Sequence, residues 1–97
     1  MPHYIALLNL TEQGIRDAKS IPQRIEAAQK ACEQAGATWG HLYMVTGQYD
    51  YVLLFDAPDD QVAANLMLAQ GTKGNIRSQT SRAFDQEEIR QLISKLA

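Results

Sequence analysis

The residues TGQYD at positions 46–50 separate two strongly apolar runs, WGHLYMV at 39–45 and YVLLF at 51–55. A glycine-containing connection of a few residues between two strand-like segments predicts a β-hairpin. The hairpin makes two central strands antiparallel neighbours, and the rest of the architecture can be built outward from it. It also places the Tyr49 phenol and the Asp50 carboxylate at its mouth.

Two further segments have the composition of strands. The first, YIALLNL, is apolar almost throughout and lies near the start of the chain, and the second, NIRSQTSRAF, is more polar. Strands are usually bounded by turn residues such as glycine, proline, asparagine and aspartate, and these flank the segments here. The predicted strands are therefore 4–10, 39–45, 51–56 and 75–84.

Helical spacing of apolar residues fills the gaps between these strands. After a short helical turn within residues 11–19, Ser20 and Gln23 have the spacing of a capping box, and Gly36 ends the helix that follows. A second helix starts at the sequence APDD, which puts acid in its first turn, and Gly71 to Gly74 stops it. Asp85 and Glu88 form another capping box, ahead of an amphipathic C-terminal helix with apolar residues Ile89, Leu92, Ile93 and Leu96.

The resulting order, β-α-β-β-α-β followed by one helix, is the split βαβ or ferredoxin-like arrangement. It predicts an α+β fold in which a four-stranded antiparallel sheet carries both main helices on one face. Ninety-seven residues suffice for one domain, so residues 1–97 are expected to form a single unit.

Both faces of strands 4–10 and 51–56 are apolar. Ile5 and Leu7 alternate with other apolar residues in the first strand, as Leu53 does with Val52 and Leu54 in the second. Two helices can cover only one face, and a contiguous apolar patch left in water normally marks an interface. We therefore expect a homodimer, or a larger oligomer of dimers, closed by sheet-to-sheet packing. The alternative is that the C-terminal helix folds across the open face.

Composition limits the other partners. Nine basic and eleven acidic residues are interspersed and give a net charge of −2, so the chain has no basic run to bind nucleic acid. No apolar run approaches the roughly 20 residues that span a bilayer, and the N-terminus lacks the pattern of a signal peptide, which indicates a cytoplasmic protein. With one cysteine, Cys32, and no metal-ligand spacing, we expect no metal and no cofactor.

Seven residues are the candidates for a ligand site. Tyr49 and Asp50 either hold the hairpin turn together or form the polar end of a pocket, with the phenol donating and the carboxylate accepting or acting as a base. Trp39, His41 and Tyr43 are spaced two apart, which predicts one face of a strand. Asn75 and Arg77 are expected on one face of the last strand, where the arginine is an anion-binding candidate.

The segment GQYD at 47–50 resembles the G-x-Y-D signature of the GYD domain proteins. Its setting is similar too, with Thr46 before it and APDD at 57–60 after the strand. Two more blocks resemble that family, TEQGI after the opening strand and GNIR through Thr80 to Ala83-Phe84. The resemblance implies a small bacterial or archaeal stand-alone domain with a ferredoxin-like fold, related to the dimeric α/β barrel group. It implies no particular reaction.

Three functional hypotheses follow. The preferred one is a non-enzymatic, oligomeric domain that binds a small molecule or a protein partner near the dimer interface. The second is a cofactor-independent monooxygenase or isomerase of the dimeric α/β barrel kind, using His41, Tyr49 and Asp50 in a pocket between sheet and helices. The third is a tautomerase whose base is the amine of Pro2, because the opening MPHYI is similar to the start of some tautomerases.

Overall fold

The computed structural model describes residues 1–97. Its four strands form one antiparallel sheet in the order β2-β3-β1-β4, so β1 lies between β3 and β4. The hairpin of β2 and β3 is confirmed, but β2 is an edge strand rather than a central one, because β1 pairs on the other side of β3. The strands are β1 His3–Leu10, β2 Thr38–Met44, β3 Tyr51–Asp56 and β4 Ile76–Ala83.

Four α-helices complete the α+β ferredoxin-like fold, which confirms the predicted fold class. A short 3₁₀ turn, Ala18–Ser20, joins the first two helices. None of the four is both long enough and apolar enough to cross a bilayer. The helices are α1 Glu12–Arg16, α2 Ile21–Gln34, α3 Asp60–Thr72 and α4 Gln86–Ser94.

The helix starts differ in how they are capped. Asp85 and Glu88 form the predicted reciprocal capping box at the start of α4, and Asp59 accepts from the Val62 N–H at the start of α3. The predicted capping box of Ser20 is wrong. Its hydroxyl donates to the Asp17 carbonyl instead, because Ser20 is itself the last residue of the 3₁₀ turn.

The two main helices cover one face of the sheet, which we call the covered face. Its buried side chains come from alternate positions of the two central strands, with Cys32 of α2 and Ala63 and Leu66 of α3 packed against them. Burial raises the pKa of the Cys32 thiol, which suits a packing residue rather than a reactive one. The strand residues of the covered face are Tyr4, Ala6, Leu8, Tyr51, Leu53 and Phe55.

A β-bulge at Gly40 divides β2. Trp39 lies opposite Phe55 and His41 opposite Leu54, so one extra residue separates two successive pairs. A side chain at Gly40 would meet the Leu54 carbonyl oxygen at 2.4 Å, so only glycine fits this approach. The expectation that Trp39 shares a face with His41 is wrong because the bulge shifts the alternation by one residue.

The C-terminal helix α4 projects from the body of the molecule. The Cα radius of gyration is 14.7 Å, against about 13 Å for a compact chain of this length, and the extents are 52 × 30 × 18 Å. Its apolar residues remain exposed: Ile89 by 50%, Leu92 by 49%, Ile93 by 60% and Leu96 by 72%. The helix therefore does not fold across the sheet, which excludes the alternative cover for the open face in this structure.

Candidate functional site

The face of the sheet that no helix covers, here called the open face, carries most of the candidate residues. Register places four half-buried aliphatic side chains at its centre, two from β1 and two from β3. Polar and aromatic groups surround them on the outer strands and at the hairpin loop. The aliphatic centre is Ile5, Leu7, Val52 and Leu54, and the surrounding residues are His41, Tyr43, Tyr49, Arg77, Gln79 and Ser81.

Tyr49 connects strands that are not neighbours. It lies in the hairpin loop next to β3, yet its hydroxyl donates to Gln79 Oε1 of β4 at 2.8 Å. Gln79 pairs with Leu7 of β1, so the phenol passes over β1 to reach it. The contact holds the loop against the open face and places a hydrogen-bonded aromatic ring at its edge.

Asp50 joins the hairpin loop to β1 through two hydrogen bonds. Its N–H donates to the Leu8 carbonyl at 2.9 Å, and its carboxylate accepts from the Leu10 N–H at 2.8 Å. The carboxylate takes the place of a backbone carbonyl and extends the pairing of β3 with β1 beyond the strand end. Asp50 also accepts from the Val45 N–H through its carbonyl, which closes the loop.

The remaining candidates divide between the two faces. His41 and Tyr43 stack on the open face, with ring centroids 6.0 Å apart, and Arg77 lies on the same face of β4. Trp39 and Asn75 instead line a cavity beneath the covered face. Asn75 was expected to share a face with Arg77, but β4 begins only at Ile76 and leaves Asn75 in the preceding turn.

The geometry does not assemble the proposed catalytic trio. His41, Tyr49 and Asp50 make no hydrogen bonds to one another, and none of them lines the cavity between sheet and helices. Pro2 uses its carbonyl to accept from the Ala57 N–H at 3.1 Å and does not line the cavity between sheet and helices.

The covered-face cavity has a volume of about 150 Å³ and lies between the sheet, α2 and α3. Most of its lining is hydrophobic, and Tyr51 and Arg24 contribute polar groups. Neither residue stands out in the sequence. Tyr51 was recognised only as an apolar strand position, and Arg24 stands among ordinary surface residues of a helix.

A group of charged side chains fixes the start of α4 to the sheet. The His3 imidazole donates from Nδ1 to Asp56 at 2.6 Å and from Nε2 to Asp85 at 3.1 Å. Ionised carboxylates only accept, so both bonds form together only when the imidazole carries both protons. Hydrogen bonds to Asp56 and Asp85 accordingly raise the pKa of His3. Arg82 donates to Glu88 at 2.8 Å and completes the cluster.

His3, Asp85 and Glu88 also bring possible metal-ligand atoms within 4.8 Å of one another. The carboxylate oxygens of Asp85 and Glu88 already accept hydrogen bonds, since both residues form the capping box of α4 and the Arg82 guanidinium donates to Glu88. A guanidinium at this position repels a cation. We therefore assign the group to attachment of α4 rather than to metal binding.

Comparison with known proteins gives one family and one informative relative. The chain is 30% identical over 97 residues to the "Glutamine synthetase and cystathionine beta-lyase binding protein" of Thermus thermophilus, and the match covers 99% of each chain. No solved structure matches this chain. The family model of the GYD domain matches residues 4–93, which include the hairpin motif and all four strands apart from His3. The chain therefore belongs to the GYD domain family.

Proposed function

We propose that this protein is a dimeric, single-domain binding module of the cytoplasm that attaches to metabolic enzymes. The observation that carries the proposal is the presence of two uncovered apolar surfaces, the open face of the sheet and the apolar side of α4. Contiguous apolar patches that are left in water usually mark interaction surfaces, so we expect a partner to cover each of these two. Each surface is assigned one occupant.

The open face suits a second copy of the same chain. Two sheets can pack face to face about 10 Å apart when their facing side chains are apolar, as Ile5, Leu7, Val52 and Leu54 are. A two-fold axis would let the same patch serve both protomers. The arrangement would be a dimer of the dimeric α/β barrel kind, in which His41, Tyr43, Tyr49 and Arg77 lie at the rim of the interface.

The apolar side of α4 suits a protein partner. An amphipathic helix that is attached by its first turn and exposed along its length can lie in a hydrophobic groove of another protein. Ile89, Leu92 and Ile93 supply anchors at the required spacing. The relative from Thermus thermophilus is described as binding glutamine synthetase and cystathionine β-lyase, and this supports an enzyme as the partner.

The test is capture of purified glutamine synthetase and cystathionine β-lyase by the immobilised protein. We expect the wild type to bind at least one enzyme and Ile93→Glu to lose that binding, because a carboxylate would enter the apolar contact. Gln91→Glu is the matched control: it introduces the same side chain on the opposite side of α4 and should bind normally.

Light scattering on the same variants separates the two surfaces. Ile93→Glu should keep the mass of the wild-type dimer. If it became monomeric, α4 would belong to the self-association surface. If neither enzyme bound the wild type, the assignment of the partner would be wrong.

A further inference from the structure

The covered-face cavity contains a polar group that the folded chain leaves without a partner. Tyr51 is only 6% exposed, and its hydroxyl is buried without a hydrogen-bond partner. Buried polar groups in folded proteins are nearly always hydrogen-bonded, and a tyrosine hydroxyl in an apolar core usually has a partner. Tyr51 also lines the cavity, so its unmet hydrogen bond and an available volume occur at the same place.

The body of the cavity is apolar. Side chains of the sheet form its floor, and α2 and α3 form its walls, with Phe55, Leu53 and Leu66 among the buried members. Its volume is about 150 Å³. An apolar volume of this size can admit a hydrocarbon about as large as benzene. The cavity also reaches solvent, since the exposed residues Ala27 and Lys73 belong to its lining.

The charged groups in the lining all have one sign. Arg24 and Lys73 are the charged residues among those that line the cavity, and no carboxylate accompanies them. Gln70 and Asn75 add two neutral amides. Arg24 belongs to the first turn of α2, and the other three lie between the last turn of α3 and the start of β4. The polar side chains are therefore at the N-terminal end of α2 and the C-terminal end of α3.

Arg24 is held in position at this end. Its guanidinium donates to the Gly14 carbonyl at 2.8 Å, and Gly14 packs so closely on Asn75 that a Cβ there would meet the Asn75 carbonyl oxygen at 2.1 Å. The three residues are therefore neighbours. Burial raises the pKa of Tyr51 and the charge of Arg24 lowers it, which is consistent with a guanidinium close to the phenol; the Asp50 carboxylate, which lies outside the lining, adds to the rise.

We propose that this cavity is a binding site for a small amphipathic carboxylate. The hydrocarbon part occupies the apolar body, the Tyr51 hydroxyl donates to a carboxylate oxygen, and Arg24 and Lys73 neutralise the charge. The site lies on the opposite side of the sheet from the proposed dimer interface and does not depend on it. A carboxylate is favoured over an amine because every charge in the lining is positive.

Hexanoate is the probe for the first test, with hexanol and hexylammonium as neutral and cationic counterparts of the same chain length. Calorimetric titration of the wild type should give saturable binding of hexanoate, weaker binding of hexanol and none of hexylammonium. Absence of hexanoate binding, or equal binding of all three probes, would overturn the proposal.

The Tyr51→Phe variant tests the hydroxyl. Because this hydroxyl has no partner in the folded chain, the ligand-free variant should unfold at the same temperature as the wild type or a higher one. Its affinity for hexanoate should fall about tenfold or more, since a hydrogen bond to a charged group is lost. Tyr43→Phe, on the open face, is the matched control and should bind as the wild type does.

Ala28→Leu tests the location. Ala28 of α2 lines the cavity and is half-buried, so a larger apolar side chain there should occupy the ligand's volume and abolish binding of hexanoate while the fold persists. Unchanged affinity in both Ala28→Leu and Tyr51→Phe would place the ligand elsewhere and refute the site. A loss of stability in ligand-free Tyr51→Phe would also count against it, because the hydroxyl would then have a structural partner.

Discussion

The covered and open faces of this sheet use the same two central strands yet meet different surroundings. On the covered face, Ala6 and Leu53 pack against two helices and are almost fully buried. On the open face, their neighbours Ile5 and Leu54 are equally apolar but remain half-buried. Alternation along a strand thus separates two sets of side chains, and the surrounding layers decide how deeply each set is buried.

Two tyrosines two residues apart show the same contrast in their polar groups. Tyr49 lies beside the open face and donates to Gln79, whereas Tyr51 lies under the helices and its hydroxyl has no partner. The tyrosine hydroxyl beside the open face therefore has a hydrogen-bond partner, whereas the tyrosine hydroxyl under the helices has none. The unpaired hydroxyl makes the covered face the better candidate for binding a small ligand. Most of the site residues that were predicted from the sequence lie on the open face instead.

The two faces of the sheet should respond differently to a charge placed at adjacent positions of β3. Leu53→Asp would bury a carboxylate without a partner among Phe55, Leu8 and the helices, a change that typically costs more than about 4 kcal/mol. We expect loss of the folded state, measured as loss of the cooperative unfolding transition in circular dichroism. A folded Leu53→Asp protein would show that the covered face is not the core.

Leu54→Asp places the same charge one residue later, on the open face. If that face meets a second copy, the variant should stay folded and become a monomer of about 10.8 kDa. Light scattering at micromolar concentration gives the mass, with Ser81→Asp at the rim of the same face as the control. A wild type that is already monomeric would contradict the dimer.

Asp50→Ala is expected to destabilise the folded chain by about 1.5–3 kcal/mol, because the Leu10 N–H loses a charged acceptor. Urea denaturation measures the change in the free energy of unfolding. Tyr49→Phe removes only the bond between partly exposed groups, Tyr49 and Gln79, and should cost less. If Tyr49→Phe lowered the free energy of unfolding more than Asp50→Ala does, Tyr49 rather than Asp50 would be the main structural residue of the motif.

The smallest expected effect is the pH dependence of the α4 attachment. Asp56 and Asp85 raise the pKa of His3 above its ordinary value of 6.5, with Glu88 adding to their effect. Because the pKa of His3 is raised in the folded state, the stabilisation that its carboxylate pairs give to the α4 attachment is complete below about pH 6.5. That stabilisation is lost as pH rises through the folded-state pKa. Amide hydrogen exchange of α4, corrected for intrinsic rates, should therefore quicken above that range in the wild type. His3→Gln should remove this dependence.

Sequence patterns were sufficient for much of the fold and for little of the candidate site. The apolar runs, the Gly47 connection, the acidic start APDD at 57–60 and the capping box at Asp85 are local, so they predicted the strands, the hairpin and two helix starts. The bulge at Gly40 was missed because it results from the close approach of the Leu54 carbonyl, which belongs to another strand. One extra residue was enough to move Trp39 from the open face to the cavity.

The residues of the strands are enough to show that this chain has more apolar strand surface than two helices can cover, and the GYD motif points to its family. Which side chains share each face follows only from the folded chain, because register depends on pairing between distant segments. The tertiary structure also revealed that Asp50 binds the Leu10 N–H and that Tyr51 has an unpaired hydroxyl beside a cavity. Hydrogen-bond satisfaction depends on the whole surroundings of an atom, and no local pattern records those surroundings.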